Sequence, residues 1–158
     1  MSPSALARAA AFALVAAFTA WLPAAALADD PPPSVASMAN PVAGDPAAVR
    51  RGQGLFLQNC APCHGAEADG RGPGSVGLRP PPADLAGPEV VPKHPDGWLY
   101  WRIAHGKRGT AMPSFAFSLS EPERWSIVAF LRSLQAGARP ADSAPAPGAA
   151  RAPLVSAH

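Results

Sequence analysis

Apolar residues recur at helical spacing in three stretches of the chain, residues 46–60, 96–106 and 121–136. The stretches between them are too rich in glycine and proline to form regular structure. This pattern predicts an all-α fold of three to four short helices, in one domain that spans residues 46–136.

Local signals mark the ends of the first and last of these helices. Asp45 is placed to cap the first helix, and Pro46 occupies its first turn, where a missing N–H costs nothing. Ser120 and Glu123 form a Ser-x-x-Glu capping box before the last helix, and Gly137 is placed to end that helix.

Two positions in the first and middle helices carry further expectations. Asp96 is placed to cap the middle helix. Gly52 lies inside the first helix, where glycine costs roughly 1 kcal/mol relative to alanine. We expect Gly52 to admit the close approach of another helix, with a merely tolerated glycine as the alternative.

The first 28 residues have the features of a secretory signal. Arg8 supplies a positive start, an apolar run follows, and Ala26-Leu27-Ala28 is a small-residue cleavage site. The alternative is an uncleaved membrane anchor, because the apolar stretch is almost long enough to span a bilayer. We therefore expect an exported, periplasmic protein that is tethered to the membrane if residues 1–28 are retained.

Two more segments lie outside the predicted domain. Residues 29–45 are rich in proline and alanine and have no periodic apolar face, so we expect an extended linker. Residues 137–158 return to the same composition, so we expect a disordered tail.

The chemistry is concentrated in five consecutive residues, Cys60-Ala61-Pro62-Cys63-His64. Cys-x-x-Cys-His is the attachment signature of c-type haem. Two thiols about one helical turn apart each add to one vinyl group of the same porphyrin, and the histidine that follows becomes an axial ligand of the iron. The motif predicts one covalently attached haem c per chain.

Two other readings of the cysteines stay open. A thioredoxin-like redox pair needs only the two cysteines, but it is expected within a βαβ pattern that this sequence lacks. A zinc site needs four ligands, and Cys60 and Cys63 are the only cysteines of the chain.

Met112 is the only methionine after residue 38 and lies in a turn-rich loop, residues 106–115. A methionine in such a loop, long after a haem histidine, predicts the second axial ligand of the iron. A core methionine is the alternative for this residue. His94 and His105 are the alternative ligands.

Further residues are candidates for the surroundings of the haem. Residues 78–85 contain three consecutive prolines and either form a proline-rich surface loop or lie across the histidine side. In the second case the carbonyl of Pro82 is our candidate acceptor for the other ring N–H of His64. Trp98 and Trp101 are either core residues or, with Arg102, partners of a haem propionate. The complete set of predicted pocket residues is Pro82, Leu85, Trp98, Trp101, Arg102, Phe56 and Leu131.

Taken together, the sequence resembles class I c-type cytochromes, particularly small bacterial monohaem cytochromes that are periplasmic or tethered to the membrane. The resemblance covers residues 46–135 and depends on the haem motif, on Met112-Pro113 and on residues 123–132. It implies the cytochrome c fold around one haem c, with His64 and Met112 as axial ligands.

The resemblance also implies a crossing of the first and last helices near a glycine and an aromatic side chain, which Gly52 and Phe56 match, and a proline carbonyl bonded to the histidine ring. The loop of residues 65–85 is longer and richer in proline than in the shortest members. Which proline supplies that carbonyl therefore stays open among Pro80, Pro81 and Pro82.

These features predict an electron carrier rather than an enzyme, because two strong axial ligands leave the iron no open site. The chain is also suited to be the haem subunit of a larger oxidoreductase. The alternatives are a five-coordinate haem sensor or peroxidase-like protein, in which Met112 does not bind the iron, and a thiol oxidoreductase without cofactor.

The expected partners are redox proteins of the periplasm or the membrane face, namely an oxidase, a reductase or a dehydrogenase. The formal net charge is +2, or +1 without Arg8, and this balance does not indicate a nucleic acid partner. Five cations are expected to form a basic rim around the haem edge that steers docking to an acidic surface: Arg79, Lys93, Arg102, Lys107 and Arg108.

Overall fold

The computed structural model describes residues 29–137. The predicted signal at residues 1–28 and all but the first residue of the predicted tail lie outside the described residues. Contacts within the chain separate Met1–Asp30 from Pro31–His158, and the architecture below is that of the second unit.

Five helices make up this unit in the part of the chain that the structure describes. They are α1 (Pro33–Ala36), α2 (Pro46–Asn59), α3 (Ala61–His64), α4 (Asp96–His105) and α5 (Glu121–Gln135), with a 3₁₀ turn at Pro73–Ser75. Residues 29–137 contain no strand, so the all-α prediction is confirmed. Within the same range, a helix of the length and apolar character needed to cross a membrane was not found.

The predicted signals at the starts of α2 and α5 are confirmed. Asp45 Oδ1 accepts a hydrogen bond from the Ala47 N–H at 2.8 Å. Glu123 Oε2 accepts hydrogen bonds from the Ser120 N–H at 2.7 Å and from the Ser120 hydroxyl at 2.6 Å. Both helices therefore begin where their capping residues stand in the sequence.

The packing of α2 against α5 organises the core. A Cβ at Gly52 would lie 1.9 Å from the backbone oxygen of Ser126, so the two helices touch at a point where only glycine fits. One helical turn further on, the rings of Phe56 and Phe130 have centroids 5.3 Å apart. The prediction that Gly52 serves a close helix approach is confirmed.

Arg132 of α5 ties the start of α4 to the core. Its Nε lies 2.6 Å from Asp96 Oδ1, and its two terminal nitrogens donate to the carbonyls of Val91 and His94. Asp96 is the first residue of α4 rather than its cap, because its carboxylate is turned toward this guanidinium.

The segment before α2 differs from the extended linker that we expected. It contains the one-turn helix α1, and a Cβ at Gly97 of α4 would lie 1.9 Å from the backbone oxygen of Val35. Asn40 is buried and donates from Nδ2 to the carbonyl of Trp125 at 3.0 Å. A composition rich in proline indicated an extended chain, but Val35 is partly buried and Val42 packs against the core.

Candidate functional site

The Cys-x-x-Cys-His motif forms the junction between α2 and α3. Cys60 caps the end of α2, and its carbonyl accepts hydrogen bonds from the N–H groups of Cys63 at 3.1 Å and His64 at 2.8 Å. This single turn carries the two sulfurs and the imidazole within five residues, with Cys60 at the cap of α3 and Cys63 and His64 as its last two residues. Both cysteines are free and partly buried.

Burial and, to a smaller extent, the nearby Cys63 raise the pKa of the Cys60 thiol to about 12. A nucleophilic redox cysteine has a lowered pKa instead, because the thiolate is its reactive form. The surroundings of Cys60 therefore do not favour the thiol oxidoreductase reading.

The His64 ring is oriented by a backbone carbonyl. Its Nδ1 lies 3.0 Å from the carbonyl oxygen of Ala83, and since a carbonyl can only accept, Nδ1 carries the proton and Nε2 is left as the ligand atom. Burial lowers the pKa of His64, with a smaller opposing effect of the Ala83 carbonyl. A lowered pKa favours the neutral imidazole, which is the form that binds a metal.

The acceptor differs by one residue from our prediction. Residues 78–85 do supply it, but Pro82 as the acceptor is wrong, since the carbonyl bonded to His64 is that of Ala83. The Pro82 carbonyl instead faces Gly70, where it would lie 2.6 Å from an added Cβ. Consecutive carbonyls of an extended segment point to different sides, so only one of the two reaches the ring.

Met112 lies in a loop that folds back on the end of α4. Its carbonyl accepts from the Lys107 N–H at 3.2 Å, and its N–H donates to Thr110 Oγ1 at 3.2 Å. Ser114 Oγ donates to the carbonyl of Ala104 at 2.6 Å. The side chain of Met112 is half-buried and is not part of the hydrophobic core cluster.

His94 and His105, the alternative ligands, both stack on tryptophans of α4. The ring of His94 lies 3.8 Å from that of Trp98, and the ring of His105 lies 4.5 Å from that of Trp101. The Nδ1 of each histidine is also within hydrogen-bond distance of a backbone carbonyl four residues earlier, at 2.8 Å and 3.0 Å respectively. Both rings are thus engaged by their own segment of the chain.

Arg102 is buried, with 7% of its surface exposed. Its guanidinium carbon lies 4.7 Å from the Trp98 ring and 5.3 Å from the Trp101 ring, and Nη1 donates to the Gly106 carbonyl. The placement of Arg102 in an exposed basic rim is therefore wrong. The planar guanidinium packs against indoles one and four residues earlier on the same helix.

The other predicted positions are distributed between core and surface. Phe56 and Leu131 belong to the buried core, against which Leu85 and Trp98 pack. Arg79, Lys107 and Arg108 are exposed, and Lys93 pairs with Glu89 at 2.5 Å. Contact of the pocket candidates with a haem stays a prediction.

The zinc reading finds no support in the described part of the chain. Residues 29–137 contain no group of three or more histidine, cysteine, aspartate or glutamate side chains that could hold a metal ion. A porphyrin attached through two sulfurs needs only the histidine and one further ligand from the protein. The donor set of the motif fits haem c.

Sequence reasoning missed two residues that hold the segment behind His64. The Ala68 carbonyl accepts from the N–H groups of Leu85 at 2.7 Å and Ala86 at 3.1 Å. Gln135 Nε2 donates to the carbonyls of the same two residues at 2.9 Å and 3.2 Å. No motif signals either contact, because each depends on where a loop meets the end of a distant helix.

Comparisons with known proteins place the chain in a family. The family model described as "Cytochrome C oxidase, cbb3-type, subunit III" matches residues 47–131. A search of curated proteins gave no match.

Two solved structures are similar to the chain. The reducing HAO-like protein complex of Kuenenia stuttgartiensis is 29% identical, with 56% of this chain and 44% of that chain covered and a TM-score of 0.48. Cytochrome cL of the marine methylotrophic bacterium Methylophaga aminisulfidivorans MPT is 26% identical, with 60% of each chain covered and a TM-score of 0.48. The chain therefore spans less than two thirds of either one.

The family match covers more than half of the chain and contains every residue of the Cys-x-x-Cys-His turn and the loop of Met112. The resemblance to class I c-type cytochromes is thereby confirmed, as is haem c as the cofactor. This chain belongs to the cytochrome c oxidase, cbb3-type, subunit III family, and its domain is a c-type cytochrome with haem c as its cofactor.

Proposed function

We propose that the chain is a periplasmic carrier of single electrons. One haem c is joined to it by thioether bonds to Cys60 and Cys63, and His64 and Met112 are the axial ligands of the iron. One observation supports this proposal most strongly. His64 lies on the same turn as two free cysteines, and its Nδ1 is 3.0 Å from the Ala83 carbonyl oxygen.

The state of His64 supports its role as a ligand. Its Nδ1 donates to the Ala83 carbonyl, and burial lowers its pKa, which favours the neutral ring. An acceptor on that nitrogen fixes the orientation of the ring and raises its basicity as a ligand. The acceptors of His94 and His105 are carbonyls only four residues earlier, whereas the acceptor of His64 lies 19 residues away and is brought to the ring by the fold.

The position of Met112 supports its role as the second ligand. Its backbone is held on both sides, through Lys107 and Thr110, while its side chain stays out of the hydrophobic core. The alternative ligands, His94 and His105, are stacked on Trp98 and Trp101. Among the three candidates, Met112 alone has a side chain without such a ring contact.

Bound haem supplies a redox-active iron, and the chain determines its potential and its access. Cys60 and Cys63 would hold the porphyrin, and His64 and Met112 would supply the two protein ligands of its iron. Methionine opposite histidine stabilises the ferrous state relative to a pair of histidines. We therefore expect a fairly positive reduction potential and slow binding of small molecules at the iron.

The partner and the location belong to the same proposal. The protein is exported, and it exchanges electrons with an oxidase, reductase or dehydrogenase, either as a mobile carrier or as the haem subunit of a larger oxidoreductase. Exposed cations at Arg79, Lys107 and Arg108 are suited to steer docking to an acidic surface. The membrane is a partner only if residues 1–28 are kept as an anchor.

The ligation is tested by replacing Met112 with alanine in the haem-loaded protein. We expect the variant to lose the weak far-red absorption band of the oxidised state that marks methionine ligation, to shift in potential and to bind carbon monoxide rapidly when reduced, because one axial position is opened. Met38→Ala is the matched control, since Met38 lies exposed in the segment before α2.

An unchanged spectrum and potential in Met112→Ala would be incompatible with this ligation. A wild-type protein that lacks the far-red band and binds carbon monoxide rapidly would instead favour the five-coordinate sensor or peroxidase-like alternative.

A further inference from the structure

We propose that Gln135, the last residue of α5, is a positioning residue for the axial histidine. Its side-chain amide fixes the backbone segment whose Ala83 carbonyl is bonded to His64. This inference rests on the proposed role of His64 as an iron ligand. It adds a contact through which the last helix influences the electronic state of that ligand.

The acceptor carbonyl belongs to a segment without regular structure. Ala83 is followed by Leu85 and Ala86, and residues 79–86 lie in neither helix nor strand. A segment of this kind holds a carbonyl at one distance from an imidazole only if other hydrogen bonds fix its backbone. Those bonds are made at Leu85 and Ala86, two and three residues beyond the acceptor.

The peptide groups of Leu85 and Ala86 are bonded on two sides. Their N–H groups donate to the carbonyl of Ala68, at 2.7 Å and 3.1 Å. Their carbonyls accept from Gln135 Nε2, at 2.9 Å and 3.2 Å. The segment is thus held between the loop that follows the haem motif and the end of α5.

The Ala68 carbonyl, which accepts two of these hydrogen bonds, belongs to a tightly constrained loop. Ala68 is fully buried and has a φ of +59°, a conformation that residues other than glycine adopt only under constraint. The N–H of Gly70 donates to the His64 carbonyl at 2.8 Å, which closes the loop against the histidine itself. Gln135 is therefore the one side chain that fixes the segment from outside this loop in the contacts described above.

The chemistry of Gln135 suits this role. Both of its contacts are donations from the amide nitrogen to carbonyl oxygens, so the role needs a hydrogen-bond donor and an ionised carboxylate cannot fill it. If these bonds are lost, the segment is held from one side only and the bond between Ala83 and His64 weakens. A weaker acceptor makes the imidazole less basic, which stabilises ferric iron less and raises the reduction potential.

The test compares Gln135→Leu and Gln135→Glu with wild type in the haem-loaded protein. The first variant removes the donor and the second replaces it by an acceptor of nearly the same shape. Gln58→Leu is the matched control, because Gln58 is an exposed glutamine on α2. Two quantities are measured, the reduction potential and, by proton NMR of the reduced protein, the exchange rate of the His64 Nδ1 proton with solvent.

We expect both Gln135 variants to exchange the His64 proton about tenfold faster and Gln135→Leu to shift the potential upward, whereas Gln58→Leu changes neither quantity. The negative charge added by Gln135→Glu itself lowers the potential, so the exchange rate is the deciding quantity for that variant. Gln135→Glu keeps the size of the side chain and so tests the proposal even if Gln135→Leu fails to fold. A purely structural role would lower the unfolding temperature without changing the exchange rate.

An exchange rate equal to that of wild type in a folded Gln135 variant would overturn the inference and leave the ligation by His64 and Met112 intact. Failure of the proposed function has a different signature, because the wild-type protein itself would then lack the spectrum of histidine and methionine ligation.

Discussion

At the scale of single residues, two glycines of α2 show how strongly position decides the effect of a methyl group. An added Cβ at Gly52 would lie 1.9 Å from the Ser126 backbone oxygen, whereas a Cβ at Gly54 would have no other atom within 4 Å. Backbone atoms of α5 cannot yield as a flexible side chain can. The same substitution should therefore have opposite signs at the two sites.

We expect Gly52→Ala to lower the free energy of unfolding by about 3 kcal/mol, because it forces α2 and α5 apart. Gly54→Ala should raise it by about 0.5–1 kcal/mol, because alanine is the better helix former. Chemical denaturation of both variants measures the difference. Equal effects at the two positions would contradict the close helix crossing.

Residue types in the sequence predicted some contacts and not others. Asp45 and Gly52 were predictable because a cap or a close approach needs a particular residue type at that position. Ala83 was not, because every residue has a carbonyl and only the path of the backbone decides which one meets His64. The burial of Arg102 depends on a stacking geometry that charge alone does not reveal.

At the scale of the element, the start of α5 was predictable from its capping box, Ser120 and Glu123. Ser120 donates twice to the Glu123 carboxylate, and these hydrogen bonds hold the pKa of Glu123 below its ordinary value of 4.5. A carboxyl with a lowered pKa in the folded state stabilises the fold above its unfolded pKa. That contribution is lost as the pH falls through the folded pKa.

We therefore expect the difference in unfolding temperature between wild type and Glu123→Gln to be constant above about pH 5.5 and to shrink as the pH falls below about 4.5. Ser120→Ala should follow a similar course, because it removes one of the two donors to the same carboxylate. Thermal unfolding across this pH range is the measurement. A difference that does not vary with pH would contradict the capping role of the ionised carboxylate.

At the scale of the whole molecule, the segment before α2 packs against the helices of the domain. Val35 closely approaches Gly97 of α4, and Asn40 is bonded to the Trp125 carbonyl of α5. The sequence did not reveal this, because a proline-rich segment with two isolated valines has no periodicity from which packing can be inferred. The helical part of the fold was predictable from periodicity and caps, and this attachment was not.

Asn40→Ala should lower the free energy of unfolding by about 1–2 kcal/mol, because it leaves a buried carbonyl without its donor. Met38→Ala, an exposed position two residues earlier, should change it by less than about 0.5 kcal/mol. Denaturant unfolding of the two variants distinguishes a packed segment from a loose one, and equal small effects would indicate a loose segment.

The site as a whole depends on one covalent event, the addition of the Cys60 and Cys63 sulfurs to a porphyrin. The turn that holds Cys60, Cys63 and His64, the neutral ring bonded to Ala83 and the family match over residues 47–131 all agree with it. The proposed ligation by His64 and Met112 and the positioning role of Gln135 both fail if this attachment does not occur.

The most direct measurement is the intact mass of the chain, produced with a haem-attachment system and purified under denaturing conditions. We predict the mass of the polypeptide plus one haem, and the mass of the polypeptide alone for the double variant Cys60→Ala and Cys63→Ala, since covalent attachment survives denaturation only through these sulfurs. A wild-type chain that carries no added mass would contradict the account.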